Sequence, residues 1–444
     1  MLRLLTSAST VKFQGRSLSA FSRSGSAKGL LAAMALLLMP AATASDNISA
    51  SAAEKNRPPA VIIAKDRLFA GTSATEQNPG ENIIAPFKLD WSLGLRGSYK
   101  NGSGGTGYEA VIVPDISLTY SGLRGQYILG SQASLAYNQD QTIRIKAGQL
   151  TASGQYRLDR ESQLSARVSA RISQDDPDAP GMENIIKTPL VLDLEGQAGI
   201  VRQFSRLGLE LKGSISRRVM SQTILAGNVV QDNSSLNTTR LGVSMRASYN
   251  LTPIISAFMQ GDMAQNWFDA ASPVSGFYQN GLDLKGAIGL VGNWRGIFGA
   301  QISAGYGLRR FDDPGVLQLA SVLYGLDLSW SPNQTLSAGA RFSSTINPEN
   351  TKAGAPAFVS YTANGNIGFA LSSTFALRAS AAGNWLVPTN GAETSVSYSA
   401  GAGANYKINR QTDLNLDYLY TKIIQPPVAA KDQQAITLGV NFSR

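Results

Sequence analysis

Three features of this 444-residue chain bear on whether it does chemistry. Gly102, Gly104 and Gly107 satisfy the G-x-G-x-x-G spacing. In a dinucleotide site that spacing turns a parallel strand into a helix, so that backbone N–H groups meet a pyrophosphate. Here the flanking segments alternate apolar and polar residues and no helical period follows, so the triplet reads as a flexible loop. Asp193 with Glu195, and Asp413 with Asp417, are close enough along the chain to suggest a paired-carboxylate hydrolase or an oxygen-ligand metal site. Such a site needs a pair with split pKa values in one cleft, or further oxygens converging on it. Period-two alternation yields the same spacing unaided. Finally, the chain contains no His and no Cys. Ser-His-Asp and Cys-His nucleophile activation, zinc sites of the usual N/S ligands and structural disulfides are thereby excluded. No catalytic, cofactor-binding or metal-binding set is assigned, and the chain reads as a non-enzyme.

The charged residues carry more information through the face on which they fall. From about residue 87 onward the sequence alternates. Leu164, Ala166, Val168, Ala170 and Ile172 oppose Ser165, Arg167, Ser169 and Arg171. Leu241, Val243, Met245, Ala247 and Tyr249 oppose Arg240, Gly242, Ser244, Arg246 and Ser248. Val396 to Tyr406 repeats the pattern against Ser395 to Lys407. Successive side chains of a strand point to opposite faces, so each segment has one apolar and one polar side. Followed by parity, the polar face collects the basic residues Arg96, Arg144, Lys146, Arg167, Arg171, Lys212, Arg240, Arg246, Lys285, Arg341 and Arg378. It also collects the acidic residues Asp193, Glu195, Glu210, Asp283, Asp327, Asp413 and Asp417. An Arg or Lys facing lipid near the bilayer midplane costs about 2–4 kcal/mol, so phase and energetics both assign these residues to a wet interior. They are the pore-lining candidates. Two readings of them stand side by side: a water-filled conduit with a slight cationic bias, and charges that pair across the interior to hold its shape.

The elements that position these residues are long strands. About 18 segments (16–18) run to roughly 10–14 residues, against about 5–6 for strands of soluble proteins. Short turns are expected at Ser121-Gly122, Leu158–Glu161, Gln203–Arg206, Asn250–Pro253, Asn293–Gly296, Ser331–Gln334, Ser372–Thr374 and Asn409–Gln411. Between them come longer stretches such as Asn101–Gly107, Gln174–Pro189, Met220–Asn237 and Asn266–Asn280, with Asn138–Gln141 a tight exception. Short turns alternating with long loops describe an all-β, antiparallel, up-and-down transmembrane barrel of the outer-membrane kind, whose closure removes every strand edge. Eighteen strands tilted by about 40° enclose a backbone diameter of roughly 36 Å, too wide for side chains to fill. Gln174–Pro189 and Met220–Asn237 are long enough to fold inward as constrictions. Tyr120, Phe204, Tyr249, Trp294, Trp330, Phe375 and Tyr406 lie in or beside the short turns. Amphipathic rings belong where hydrocarbon meets headgroups, so these seven are read as the aromatic girdle of the periplasmic side.

Ahead of the barrel, residues 1–44 are expected to be a signal peptide. Arg3, Lys12, Arg16, Arg23 and Lys28 precede or border the apolar run Leu30 to Met39, and the small residues Ala42 and Ala44 suit cleavage after Ala44. An organellar transit peptide and an uncleaved anchor are the weaker alternatives. Residues 45–86 read as a polar linker, and 87–444 as the barrel. Without the leader's five cations the chain holds 34 basic and 30 acidic residues, so the formal +9 shrinks to +4. No basic stripe remains to neutralise phosphates, which argues against nucleic acid as a partner.

Around Arg310-Phe311-Asp312-Asp313-Pro314, followed by Tyr324-Gly325-Leu326-Asp327-Leu328-Ser329-Trp330 and Ser331-Pro332, the sequence resembles the putative β-barrel porin type 2 family of proteobacterial outer-membrane proteins. The resemblance extends over 87–444. It implies a Gram-negative outer-membrane barrel, and it supplies no catalytic or ligand residues. The last strand ends with Phe442 in phase with the lipid-facing set, two residues before the C-terminal Arg444, as the signal expected by the barrel-assembly machinery. Expected partners are outer-membrane lipid, that machinery and small hydrophilic solutes, with homo-oligomerisation left open. The function expected is a porin-like passive channel. A part in surface-polysaccharide export, or a plugged structural or adhesive barrel, are the alternatives.

Overall fold

The computed structural model describes residues 87–444 apart from 104, 139–142, 177–184, 274–275, 317, 349–356, 389–392 and 427. The expected leader with Ala42 and Ala44, and the expected linker, lie outside the described residues. Strand follows strand: β1 (Phe87–Gly102), β2 (Gly105–Ser121), β3 (Gly125–Asn138), β4 (Ile143–Arg157), β5 (Ser162–Gln174), β6 (Ile185–Lys187), β7 (Leu190–Phe204), β8 (Leu207–Met220), β9 (Thr223–Leu225), β10 (Val229–Gln231) and β11 (Thr238–Asn250). There follow β12 (Ile255–Phe268), β13 (Gly281–Trp294), β14 (Phe298–Phe311), β15 (Leu319–Trp330), β16 (Leu336–Pro348), β17 (Ala357–Ala370), β18 (Phe375–Pro388), β19 (Ser395–Lys407), β20 (Thr412–Ile424) and β21 (Lys431–Ser443).

The 18 long strands form one antiparallel sheet in chain order. β21 pairs with β1 from Ser92↔Ser443 to Gly102↔Gln433, which closes the sheet into a barrel. Alternation decides which side of the wall each residue takes. Ile288 is 67% exposed and Leu438 60%, and they belong to the same outward set as Leu95, Met263 and Tyr306. A soluble protein does not expose a continuous apolar band of this extent. The interior is polar, so burial is concentrated in the wall and in local double layers rather than in one central core.

The short connections and the ends of β1 and β21 gather at one rim, the turn end; the remaining connections gather at the other, the loop end. One expected loop is absent. Over Asn101–Gly107 the strands run on to Gly102 and resume at Gly105, which face each other across a tight hairpin. Repeated Gly had suggested slack there, but it permits the turn instead: Gly105 adopts φ +108°. The two longest connections are themselves paired. β6 from the first and β9–β10 from the second build a separate three-stranded sheet. Its β9–β10 hairpin turns through Gly227 and Asn228 at positive φ (79° and 60°). Buried Asn233 pins the segment by donating from Nδ2 to the Ser221 carbonyl (2.6 Å) and to Thr223 Oγ1 (2.8 Å).

The wall has one seam. β14 and β15 pair over 12 residue pairs and β16 and β17 over 13, but β15 and β16 pair only from Gly325↔Ser343 to Trp330↔Ala338. At the next rung the Ser344 side chain replaces backbone: its Oγ accepts the Tyr324 N–H at 2.7 Å. Beyond it, towards the loop end, β16 passes behind β15 on the lumen side. Gly307, an inward position of β14, has Leu323 Cδ1 and Ile346 Cδ1 so close that an added Cβ would sit 2.7 and 2.9 Å from them. Ala357, at the start of β17, is 1% exposed and packs with Phe311, Val316 and Leu319. Over this sector the wall is two layers thick, and its hydrophobic cluster lies between the layers.

Candidate functional site

The inward face of the barrel is the candidate site, and its charges sort into a loop-end belt and a turn-end belt. The first cluster of the loop-end belt is centred on Glu109, whose carboxylate lies 2.8 Å from Lys100 Nζ and 2.5 Å from Lys146 Nζ. Asp176 binds Lys100 and takes Arg144 at 3.1 Å. Lys146 reaches Glu109 because β4 carries a bulge. The pairing slips from Ser134↔Ala147 to Leu135↔Ile145 and leaves Lys146 as the extra residue, and a bulge re-aims its side chain. In the second cluster Arg218 grips Asp193 with two N–H groups, at 2.7 and 3.1 Å. The third is centred on Asp283, which accepts from Arg309 (2.8 Å), Arg240 (2.5 Å) and Asn266 Nδ2 (2.9 Å). Arg309 is 1% exposed and stands 5.1 Å from the Phe311 ring, under the double layer. On the outer side of the same rim, Arg217 donates to both Asp269 oxygens at 2.7 and 2.6 Å. Those bonds hold the Asp269 carboxyl below the ordinary aspartate range.

The turn-end belt pairs its charges across fewer strands. Lys212 sits 2.5 Å from Glu210, Arg341 2.5 Å from Asp327, and Arg378 2.5 Å from Asp417. Asp413 is surrounded by amides, accepting from Asn405 (3.1 Å), Asn415 (3.2 Å) and Asn441 (3.0 Å). Arg246 lies with its guanidinium carbon 3.8 Å from the Phe258 ring centroid. Arg171, opposite Asp193, stands beside the second cluster; between the belts, Arg96 sits opposite Gly439, Arg167 opposite Gln197, Glu195 opposite Ser169 and Lys285 opposite Asp262.

Neither carboxylate pair singled out in the sequence forms a dyad. Asp193 is committed to Arg218, while Asp417 is committed to Arg378 and Asp413 to three amides. Among the described residues no group of three or more acidic side chains is disposed to hold a metal ion. Sequence parity missed Lys100, Glu109, Arg218, Asp262 and Arg309. Arg218 follows Arg217 and Arg309 precedes Arg310; in the first doublet the parity of Glu210 and Lys212 on the same strand already marks Arg218 as the inward member. For Arg309 the signal was present: it is two residues beyond Gly307 and opposite Asp283.

Tyr120, Phe204, Tyr249, Trp294, Trp330, Phe375 and Tyr406 all lie at the turn-end termini of their strands, in phase with the outward set. Further rings join them: Phe87 and Tyr127 stand 5.0 and 5.7 Å from Tyr120, and Phe298 stands 5.3 Å from Trp294.

Residues 111–444 match the family described as Putative beta-barrel porin 2. No curated protein matches the chain. Among solved structures, Pseudomonas aeruginosa OccK3 (OpdO) is similar at 13% identity with a TM-score of 0.42, over 80% of this chain and 96% of that one. Pseudomonas aeruginosa OpdL is similar at 10% identity and TM-score 0.43 (81% and 99% covered), and the FrpB iron transporter of Neisseria meningitidis at 9% and 0.43 (80% and 82%). Scores this low carry nothing about solute or mechanism.

Proposed function

The chain belongs to the Putative beta-barrel porin 2 family, a porin-like barrel of the Gram-negative outer membrane, and from that premise we propose that it is a passive channel for small hydrophilic solutes. The observation that carries the reading is the division of the wall: an apolar band outside, and inside it ion pairs and amides lining a barrel of 18 strands. A closed barrel of that strand number leaves a lumen that strand side chains alone do not fill, and a polar lumen holds water. The inward charges named from the sequence act here mostly as matched pairs, so the field along the conduit is weak and selectivity is modest. The overlapping part of β16–β17 narrows the loop-end half, a role expected of the long connections. The seven turn-end aromatics anchor the wall at the periplasmic headgroups, Phe442 on the closing strand presents the barrel to its assembly machinery, and no step of bond chemistry is assigned to the chain.

The test is conductance. Purified barrel in planar bilayers is expected to give ohmic steps with at most a weak preference for anions. Folded, heat-modifiable protein that never conducts would overturn the channel and leave a plugged structural barrel.

A further inference from the structure

We propose that Arg246, resting on Phe258, is a binding site for small monocarboxylate solutes in the turn-end third of the lumen. The proposal deepens the channel reading by naming a solute class.

Register places Glu210 of β8 directly opposite Arg246 of β11, the arrangement in which a cross-strand ion pair is expected. That pair does not form. The Glu210 carboxylate lies 2.5 Å from Lys212 Nζ, two residues along its own strand. Arg246 turns the other way, across β12, and lays its guanidinium over the Phe258 ring. From there Nη2 donates to Gln301 Oε1 of β14 at 3.3 Å. The platform depends on Gly289 of β13: a Cβ there would come within 2.5 Å of the Phe258 ring, so the ring lies where a side chain would otherwise stand. Phe258 is itself buried, which fixes the surface on which the cation rests.

A guanidinium has five N–H donors in a planar fork that matches a carboxylate. Gln301 takes one. Among the described residues Arg246 has no ion-pair partner, whereas Arg341 and Arg378, at similar height above the turn end, are each neutralised at 2.5 Å. Arg246 is therefore a half-buried, oriented cation with donors to spare, near but not in ion-pair contact with the one carboxylate its register offers. Such a group recognises a single planar anion. A dianion such as phosphate wants a second cation, and the nearest candidate on the facing strand, Lys212, is committed to Glu210.

The test uses the full barrel refolded in detergent, with propionate as the probe and saturation-transfer NMR as the readout. Wild type is expected to bind propionate, and Arg246→Gln to weaken it about tenfold or more, since a charge-assisted contact is lost. Glu210→Gln is the sharper variant: it frees Lys212 beside the site, and binding should tighten severalfold, a gain that a merely structural role does not produce. No propionate signal from folded wild type, an unchanged affinity in Arg246→Gln, or no gain in Glu210→Gln would each overturn the site. Conductance measured on the same preparation separates the two readings. Conduction without propionate binding removes the site and keeps the channel, and binding without conduction does the reverse.

Discussion

Replacing Asp283 by Asn removes one charge and almost no volume, at a point where the lumen wall concentrates charge. Asp283 serves three donors, of which Arg309 matters most because it is 1% exposed. Breaking a buried ion pair by removing one partner costs about 3–5 kcal/mol, since the remaining charge is left without compensation. The Asp283 side chain is 20% exposed, so some water reaches the pair and the lower end of that range, about 3 kcal/mol, applies. The Arg240 contact adds little: its side chain is 36% exposed, where ion pairs contribute about 1 kcal/mol or less. Replacing both partners should be nearly neutral. Asp283→Asn with Arg309→Met therefore recovers most of the loss, because Met fills the space beside Phe311 with apolar volume and leaves no buried charge unpaired, Arg240 being partly exposed to water. Urea titrations of the refolded barrel in detergent, followed by tryptophan fluorescence, measure the cycle, and gel heat-modifiability confirms that each variant folds. A single-variant cost below about 1 kcal/mol, or a double variant as unstable as the sum of its singles, would refute the account of Arg309 as a charge that needs its partner.

Other perturbations address other parts of the wall. Ala357→Asp places a charge in the apolar cluster with Phe311 and Val316, so the overlapping half of β16–β17 should detach and single-channel conductance should rise while the heat-modifiable form persists. Asp159 in the β4–β5 turn accepts backbone N–H bonds from Glu161 and Ser162 at 2.7 and 2.6 Å, and these, the Glu161 bond first, hold its carboxyl below the ordinary aspartate range. Its contribution is accordingly complete above the ordinary aspartate pKa and lost as pH falls through the depressed value. Amide exchange at Glu161 and Ser162, corrected for its intrinsic pH dependence, should therefore accelerate in that acidic window, and Asp159→Asn should flatten the response. Phe442→Ser removes the last outward aromatic of β21 without touching its pairing with β1, so assembly into the outer membrane should slow while the unfolding free energy of the refolded barrel, from urea titration, changes by less than about 1 kcal/mol.

The faces of the strands were legible in the sequence, because alternation is a local property. Leu241 to Tyr249 and Arg240 to Ser248 separate by parity alone, as do Leu164 to Ile172 and Ser165 to Arg171. Closure was legible too, since so many long two-faced strands leave no other way to satisfy their edges. Partner choice was not. Asp193 has an Arg directly opposite on each side, Arg171 on β5 and Arg218 on β8, and pairs with Arg218, while Arg246 faces Glu210 yet stacks on Phe258. Opposite positions supply the candidates, but side-chain reach decides among them, together with room left by residues such as Gly289 on a third strand. The seam was likewise invisible. β15 and β16 alternate like their neighbours, and their separation beyond Gly325↔Ser343 depends on Ser344 taking a backbone rung and on Ile346 finding Leu323 above Gly307. The sequence by itself determined which residues face water and which face lipid, because that choice repeats every two residues and costs several kcal/mol when wrong. Only the tertiary structure decided which charges cancel and where the wall doubles, because both depend on strands brought together by closure rather than on neighbours in the chain.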